Sequence, residues 1–492
     1  MKKLVFIFAL IIFPILAYTQ TSIEQGEAYE AVEGKFKLYT SDEDYVYTVK
    51  VKDRTDLFVQ KLDKKSLKQL GSKTYKDALT KDAVPFKLTE ANGLIYIFYT
   101  SEGKKDAFNV YSTVVDYKSL FLKETKKLMF TIEGGVYKVP YSTLCRLFMS
   151  EDKSKFLVQY QRALPKDRMS EQTFGLQVFD KELEKVGGGE ILMPFRWDVM
   201  EDMQYGVQNN GNITMAGYNK NEKEYHLVTI DKDDKSMEIT ATTDMNFSYF
   251  YEYALNVEKE KYMAGFYRTE KSAMQMFIIN MEDSKKYEIN VPEELIPYYK
   301  EKGKKVNAIM ALEAISQEDG GLLVIGQELY GVEVYNNWNN GIQKSSPSST
   351  SYNFNDYYLI RTNKDGTLRW MKRVNKENKN VTNSMGEYDG PTLKMLKFHP
   401  KLQYSYRYED GNHYLFFKDV LKEYKGKMLC IYRINDSSGA SKYTIGFNTD
   451  KIDKQKIYHI EPKKIVFLGD QQFGVEAYKK KEGDFMIKIK VD

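Results

Sequence analysis

The 492-residue chain has few of the residues that carry metal or nucleophile chemistry, with 2 Cys, 4 His and 3 Trp. No Cys-x-x-Cys pair occurs, and no His has a second His or Cys at ligand spacing, which excludes the common zinc sites. Cys145 and Cys430 fall in apolar segments far apart in the chain, so we expect buried free thiols rather than a disulfide. The Asp-rich turns at 231–234 and 363–366 lack the complete calcium-loop pattern, so we expect no metal.

Catalytic motifs and excess charge are missing as well. The chain contains no Gly-x-Ser-x-Gly elbow, no His-Glu-x-x-His pair, no Walker loop and no Gly-x-Gly-x-x-Gly fingerprint. The glycine run at 187–189 is not followed by a helix and predicts a flexible turn. Lys and Arg number 73 against 69 Asp and Glu, scattered over strand ends and turns, so nucleic-acid binding is not expected.

Only one long hydrophobic run is present, at the N-terminus. Lys2 and Lys3 precede the apolar run from Leu4 to Ala17, and Ala17 and Thr19 supply the small residues of a signal-peptidase site. The pattern predicts a signal peptide at 1–19, because the run is shorter than the ~20 residues of a spanning helix. A retained anchor is the alternative. No integral membrane segment is expected after cleavage, and the protein is expected to be periplasmic, on the outer surface or secreted.

The chain is rich in strand formers, with 39 Tyr and only 11 Pro. A unit of two short apolar strands joined by an acidic or Gly-bearing turn recurs eight times along it. The eight turns lie at 41–44, 89–93, 150–154, 208–211, 257–260, 316–320, 408–411 and 460–463. Repeats of this size predict the blades of a propeller or an array.

Seven of the units continue into a third strand that ends in Asp or Asn, and a fourth strand is predicted at positions such as 237–242 and 368–374. The predicted fold is therefore all-β, a β-propeller of four-stranded blades, with eight blades favoured and seven next. The runner-up is a stack of separate sandwiches. We divide the chain into the signal peptide at 1–19, an N-terminal lead-in at 20–34 and a single β-propeller domain at 35–492. The alternating strand from Phe485 to Val491 is expected to close the ring against the first blade.

Strand order places the turns on two unequal faces of the predicted disc. The turns within the repeated unit are short and charged, whereas the opposite face carries long loops, and the longest runs from 329 to 353. Aromatic rings with amide neighbours suit stacking on a sugar or gripping a peptide. The alternative is an insertion that packs its rings on the disc and leaves its Ser-rich part disordered. The candidate binding residues are Tyr330, Tyr335, Trp338 and Tyr352, with Arg196, Trp197 and Asp198 as a second group.

Two segments carry a family resemblance. The strand end Phe174–Asp180 (FGLQVFD) and the segment Leu359–Trp370 (LIRTNKDGTLRW) are similar to blades of exported bacterial propeller proteins. Together with the signal peptide, residues 35–492 resemble an uncharacterised family of exported bacterial β-propeller-like proteins. The end Gly366–Trp370 is also similar to quinoprotein blades, but it occurs in one unit of eight, so no quinone and no other cofactor is expected.

These features favour an exported, noncatalytic binding or scaffold protein. Its loop-rich face would hold a cell-envelope polymer or another exported protein. One alternative is a propeller-type glycan hydrolase with paired carboxylates, although the sequence identifies no catalytic pair. A further alternative is a structural module of an envelope assembly.

Overall fold

A computed structural model describes most of the chain. The described residues are 19–20, 22–29, 36–104, 107–134, 144–150, 152–162, 171–196, 199–219, 221–222, 224–242, 250–256, 262–268, 274–280, 286–292, 295, 306–334, 349–376, 380–385, 404–421, 423–424, 426–449, 451–452, 455–456, 460, 465–479 and 483–491. All named elements within these ranges are β-strands. No helix that could cross a bilayer is found among them.

Two short strands, β1 (Thr19–Gln20) and β2 (Ser22–Gln25), precede the first sheet. Blade one contains β3 (Lys37–Ser41), β4 (Tyr45–Lys52), β5 (Asp56–Asp63) and β6 (Gln69–Tyr75). Blade two contains β7 (Val84–Ala91), β8 (Leu94–Glu102), β9 (Phe108–Asp116) and β10 (Phe121–Ile132). Blade three contains β11 (Cys145–Met149), β12 (Lys155–Gln161), β13 (Glu171–Asp180) and β14 (Lys185–Arg196). Blade four contains β15 (Met200–Val207), β16 (Ile213–Asn219), β17 (Glu224–Ile230) and β18 (Met237–Thr242).

Four further blades follow. Blade five contains β19 (Phe250–Asn256), β20 (Tyr262–Arg268), β21 (Met274–Asn280) and β22 (Lys286–Asn290). Blade six contains β23 (Val306–Ser316), β24 (Leu322–Val334), β25 (Ser349–Thr362) and β26 (Leu368–Val374), with β27 (Asn380–Met385) added to β25. Blade seven contains β28 (Tyr404–Glu409), β29 (Asn412–Leu421), β30 (Gly426–Asn435) and β31 (Ser441–Asn448). After a small hairpin of β32 (Lys451–Ile452) and β33 (Gln455–Lys456), blade eight contains β34 (Ile465–Gly469), β35 (Gln472–Lys479) and β36 (Gly483–Lys490).

Each blade is an antiparallel meander in which consecutive strands pair. The first strands of neighbouring blades contact one another, as β3 does with β7 and β34, so these strands surround the centre of a ring. The fold is thus the predicted eight-bladed β-propeller. The predicted fourth strands at 237–242 and 368–374 are confirmed as β18 and β26.

The apolar cores lie between blades rather than within separate sandwiches. Tyr96 of blade two packs on Phe156 of blade three with ring centroids 4.8 Å apart. Phe416 of blade seven meets Phe473 of blade eight edge-on at the same separation. Burial of each such side chain contributes about 1.5–3 kcal/mol. Each apolar core found among the described residues is shared by two neighbouring blades, so the blades are not separate domains, which excludes the stacked sandwiches.

The ring is closed by the N-terminal segment. Strand β2 pairs antiparallel with β36, with Ser22 opposite Lys490 and Gln25 opposite Ile487. It is therefore the fourth strand of blade eight. Strand β1 pairs in parallel with β31, the fourth strand of blade seven. The expectation that the C-terminal strand itself closes the ring against the first blade is wrong. Strand β36 is the third strand of blade eight, and it pairs with β2, which lies in the segment expected to be an N-terminal lead-in.

The eighth predicted unit is also shifted by one strand relative to blade eight of the structure. The segment at 465–468, expected as the second strand, belongs to the first strand β34. The hairpin turn that follows is formed by Asp470 and Gln471, both with positive φ. The glycine run at 187–189 is likewise not a free turn, since Gly187, Gly188 and Gly189 pair with residues of β13. Both differences leave the number of blades unchanged.

The ring has two faces that differ in the strand connections they carry. The turn face carries the connections from first to second and from third to fourth strands. The loop face carries those from second to third strands and between blades. On the loop face, blade six continues beyond the others, because β24 and β25 are 13 and 14 residues long. There β27 pairs with Ser349–Phe354 of β25 and takes the edge position that β26 holds lower in the blade.

Candidate functional site

The long loop predicted at 329–353 is partly a sheet. Its two ends are the last residues of β24 and the first of β25, and together with β27 they form what we call the blade-six extension (329–334, 349–354 and 380–385). Six residues of strand project about 20 Å at ~3.3 Å per residue. A paired sheet of this length is an ordered platform on the loop face, unlike the loop that the sequence predicted.

The structure brings two of the candidate residues together. Tyr330 pairs with Asn353, and Tyr352 pairs with Gly331, so the two tyrosines occupy adjacent register positions in the blade-six extension. Tyr335 and Trp338 lie outside the described residues.

The second candidate group lies elsewhere on the ring. Arg196 is the last residue of β14, opposite Glu171 in blade three, at the loop-face end of the outer strand. Trp197 and Asp198 lie outside the described residues. Arg196 is therefore three blades away from the tyrosine pair, and the two groups are separate candidates.

A network of charged side chains joins blades six and seven on the turn face. Both Arg361 and Arg369 bridge Asp319 and Asp436, with four N–O distances between 2.6 and 3.0 Å. We call these four residues and His413 the interblade ion cluster. The Nε2 atom of His413 lies 2.7 Å from Asp436 Oδ1, and the Tyr406 hydroxyl lies 2.9 Å from Nδ1. Trp370 adds an indole N–H bond of 2.8 Å to the carbonyl of Asp436.

Charges within this cluster fix its protonation states. Burial alone would raise the pKa of Asp319, but hydrogen bonds from Arg361 and from the Gly321 N–H hold it at about 2. The pKa of Asp436 is also lowered, against the effect of burial, by bonds from Arg361 and His413. Burial lowers the pKa of His413, although the hydrogen bond to Asp436 acts in the opposite direction. The cluster is a closed set of ion pairs rather than an acid and base ready for proton transfer.

A second group of buried charges lies where blade eight meets blade one. The Nζ atom of Lys50, fully buried, is 2.6 Å from Glu476 Oε1 and 2.8 Å from Asp484 Oδ2. Glu476 also accepts hydrogen bonds from the hydroxyls of Tyr29 at 3.0 Å and Tyr39 at 2.5 Å. We call these five residues the closure cluster.

The closure cluster also keeps its glutamate ionised. Burial would raise the pKa of Glu476, but Lys50 and Lys37 lower it below the usual range of a glutamate. Glycosidases that use two carboxylates need one with a raised pKa as the acid. Neither Glu476 nor Asp319 nor Asp436 has that property. These carboxylates are paired with arginines or a lysine, and the two clusters join neighbouring blades.

Among the described residues, Glu409 is a carboxylate whose pKa is raised rather than lowered. Burial first and Asp410 second raise the pKa of Glu409. The two residues are successive in the tight turn between β28 and β29, where Asp410 has a φ of 51°. Neither lines the pocket described next.

A shallow cavity of about 440 Å³ opens on the turn face of blade seven. We call it the blade-seven pocket. It is lined by Asn412, Arg433, Asn435, Ser438, Ala440, Ser441 and Lys442. Elsewhere in the described ranges, no group of three His, Cys, Asp or Glu side chains is arranged to hold a metal ion.

Sequence reasoning missed the charged residues of both clusters. Lys50 and Glu476 are charged residues with apolar neighbours on both sides in the interior of β4 and β35, a pattern that signals a buried partner. The two predicted free thiols are confirmed, since Cys145 and Cys430 are buried and unpaired. Burial raises the pKa of both thiols. They are therefore unreactive rather than catalytic.

Strand order and register make the chain an eight-bladed β-propeller. No protein-family model and no curated protein matches the sequence. Among solved structures, it is similar to the Dos1 propeller, with 9% identity over 95% of each chain and a TM-score of 0.39. It is also similar to polysaccharide lyase Uly1, with 10% identity over 95% of this chain and 92% of that one and a TM-score of 0.38.

A third similar structure is the WD40 domain of SCAP from fission yeast. The identity is 10% over 96% of this chain and 98% of that one, with a TM-score of 0.37. At identities and TM-scores this low, nothing about this protein is inferred from the three likenesses.

Proposed function

We propose that the protein is an exported, noncatalytic binding or scaffold protein of the kind its sequence resembles. It holds a cell-envelope polymer or another exported protein on its loop face. The observation that carries this proposal is the blade-six extension, an ordered sheet that projects from the loop face and contains Tyr330 and Tyr352. Paired strands that extend beyond the rest of a rigid ring and contain aromatic residues are suited to extended ligands.

The charged groups support binding over hydrolysis. Asp319 and Asp436 are neutralised by two arginines, and Glu476 shares Lys50 with Asp484. The chemistry of a glycosidase needs a carboxylic acid that retains its proton near neutral pH. These two carboxylate pairs, Asp319 with Asp436 and Glu476 with Asp484, instead hold neighbouring blades together.

Export is supported by the sequence. Lys2 and Lys3 followed by the apolar run from Leu4 to Ala17 are typical of a signal peptide. The test is to express the full chain with a C-terminal tag and determine the N-terminus of the mature protein. Cleavage after Thr19 supports the proposal, and an intact N-terminus in the cytoplasm contradicts it.

The binding proposal is tested with purified mature protein on a glycan array and in a pull-down from envelope extract. Adjacent register positions alternate between the two faces of a sheet, so Tyr330→Ala and Tyr352→Ala are made separately. The control is Phe121→Ala, which removes an aromatic ring that is 59% exposed on the outer strand of blade two.

We expect the wild type to retain a polymer or an exported protein and at least one tyrosine variant to lose it. Stacking of one ring contributes about 0.5–1.5 kcal/mol, so a loss of about threefold to tenfold per ring is the expected scale. The Phe121 variant should bind like the wild type. No retention in either assay, or equal loss in all three variants, contradicts the proposal.

A further inference from the structure

Exposed apolar side chains are concentrated at the outer rim of the ring. Within the described ranges, eight large apolar side chains are strongly exposed, and seven of them lie on the outermost strand of their blade. Three of the four most exposed belong to blades one and two, namely Leu70 at 56%, Phe121 at 59% and Leu128 at 52%. Single exposed apolar residues are ordinary, whereas a group of them on two neighbouring strands indicates a contact surface.

The two strands that carry this group, β6 and β10, are in contact. The Tyr75 hydroxyl of β6 accepts a hydrogen bond of 3.2 Å from the N–H of Leu122 in β10, and it donates to the carbonyl of Leu120 at 2.5 Å. A Cβ at Gly71, the residue after Leu70, would lie 3.6 Å from Leu120 Cδ1. The outer strands of blades one and two therefore form one continuous surface, which we call the β6–β10 rim (69–75 and 121–132).

The β6–β10 rim is also basic. Its two strands contain four lysines and one acidic residue, Glu124. Lys127 pairs with Glu184 at 2.6 Å. The other three lysines are exposed, and the described residues offer them no acidic partner; they are Lys73, Lys123 and Lys126. Exposed lysines beside exposed apolar side chains match a surface that is anionic outside and apolar within.

The free edge of β10 is poorly suited to pairing with a strand of another chain. The register of β10 with β9 is interrupted at three places within 122–130. Lys126 lies in one of these irregular places and has a φ of 52°. Bulges and lysines at a sheet edge oppose the addition of a further strand. The rim therefore suits a partner that contacts its side chains rather than its backbone.

We propose that the β6–β10 rim attaches the protein to the surface of a bilayer that contains anionic lipids. Its three apolar side chains enter the boundary between the head groups and the acyl chains. Its exposed lysines lie at the level of the lipid phosphates. Peripheral binding of this kind combines buried apolar area with electrostatic attraction, so both kinds of side chain contribute. The contact lies on the outer strands and is separate from the ligand proposed for the loop face.

The test is flotation of the mature protein with two kinds of vesicle, phosphatidylcholine alone and phosphatidylcholine mixed with phosphatidylglycerol. We expect at least about tenfold tighter binding to the mixed vesicles. This binding should weaken as salt rises, because the charges on the rim are exposed and therefore screened. Equal binding to both vesicles overturns the proposal, and so does no binding to either.

Variants locate the contact on the rim. Leu128→Ser removes one exposed apolar side chain and should weaken binding to the mixed vesicles about threefold or more. Lys123→Gln combined with Lys126→Gln removes two cations and should weaken it about tenfold or more. If both variants bind the mixed vesicles like the wild type, the rim is not the contact.

Matched controls lie on other blades. Leu192→Ser changes a leucine that is 54% exposed on the outer strand of blade three. Lys185→Gln combined with Lys235→Gln removes two exposed lysines from blades three and four. The controls should bind the mixed vesicles like the wild type, and weakening equal to that of the rim variants overturns the proposal. Dimers of the free protein that Leu128→Ser separates would overturn it as well, because the rim would then contact a second copy.

The glycan array used for the loop face contains no lipid. Leu128→Ser should therefore leave retention on that array unchanged, and Phe121→Ala remains a valid control there. Loss of vesicle binding with unchanged glycan retention, or the reverse, shows which of the two proposals has failed.

Discussion

The ammonium group of Lys50 lies 2.6 Å from the carboxylate of Glu476, and the two residues are 426 positions apart in the chain. Lys50 belongs to blade one and Glu476 to blade eight, so this buried pair joins the two ends of the ring. Removal of one partner of a buried ion pair leaves an uncompensated charge, which costs about 3–5 kcal/mol.

We therefore expect Lys50→Met to lower the free energy of unfolding by about 3–5 kcal/mol in urea denaturation. The matched control is Lys68→Met. Lys68 pairs with Glu27 at 2.7 Å across the same junction, but both side chains are more than half exposed. The urea concentration at which the Lys68→Met variant is half unfolded should stay close to that of the wild type. If the two variants unfold at the same urea concentration, the closure cluster does not hold the ring.

The second prediction concerns acid. The pKa of Asp319 is about 2 in the folded protein against 3.8 for an ordinary aspartate, and the pKa of Glu476 is lowered as well. A carboxyl group whose pKa is lower in the folded than in the unfolded protein stabilises the fold when it is ionised. This stabilisation is complete at pH values above the unfolded-state pKa and is lost as the pH falls through the folded-state pKa. The free energy of unfolding should therefore fall between about pH 4 and pH 2.

Urea titrations at several pH values check this, with Asp319→Asn as the comparison. The variant lacks one carboxylate with a lowered pKa, so its stability should be lower at pH 6 and should change less steeply as the pH is reduced. The same slope in both proteins would show that Asp319 is not held ionised by Arg361 and Arg369.

The third prediction concerns the N-terminal strand. The N–H of Gly26 donates to the carbonyl of Met486 at 2.8 Å, and a Cβ at Gly26 would lie 2.6 Å from the Cβ of Leu67. Gly26→Ala should cost about 1–3 kcal/mol through overpacking. Gly71→Ala is the control, because the nearest atom to its new Cβ is Leu120 Cδ1 at 3.6 Å. The melting temperature of the Gly26→Ala variant should be clearly lower than that of the Gly71→Ala variant. Equal melting temperatures would mean that the N-terminal segment does not pack against Leu67 at Gly26.

The fourth prediction concerns the junction of blades six and seven. Asp436→Asn removes the negative charge that faces Arg361 and Arg369 and weakens the bond from His413. We expect a loss of about 2–4 kcal/mol, since Arg361 is only 1% exposed. Asp233→Asn breaks an exposed pair with Lys232 and should change stability by about 0.5 kcal/mol or less. An equally small effect at Asp436 would contradict the role given to the interblade ion cluster.

The repeated unit could be predicted from the sequence because each turn has local chemistry. Asp63 shows the reason, since its Oδ1 accepts the N–H groups of Lys65 and Ser66 and builds the turn by itself. The two strands that precede this turn, β4 and β5, are largely buried and apolar, so their periodicity is visible. Local signals of this kind gave the correct number of blades and the bounds of β18 and β26.

Closure of the ring could not be predicted in the same way. Strand β2 has only four residues, Ser22 to Gln25, and all of them are exposed, so no hydrophobic pattern marks it. Its place is set by backbone pairing with β36 at the other end of the chain. The partners of Lys50 were hidden for the same reason, because sequence spacing contains no information about contacts across the closed ring.

The candidate site was predicted only in part. Tyr330 and Tyr352 were identified as aromatic residues in a long segment, but the segment was expected to be a loop. The pairing of β27 with β25 makes it a sheet, and this pairing joins residues from both sides of β26 in the sequence. Such a non-local contact has no signature in a single sequence.

Noncatalytic binding is measured by size-exclusion chromatography of a fluorescently labelled cell-envelope polysaccharide, with and without the mature protein. We expect the polymer to elute together with the protein and its chain length to be unchanged after prolonged incubation. Progressive shortening of the polymer would show that the protein is a glycan-cleaving enzyme and would contradict noncatalytic binding.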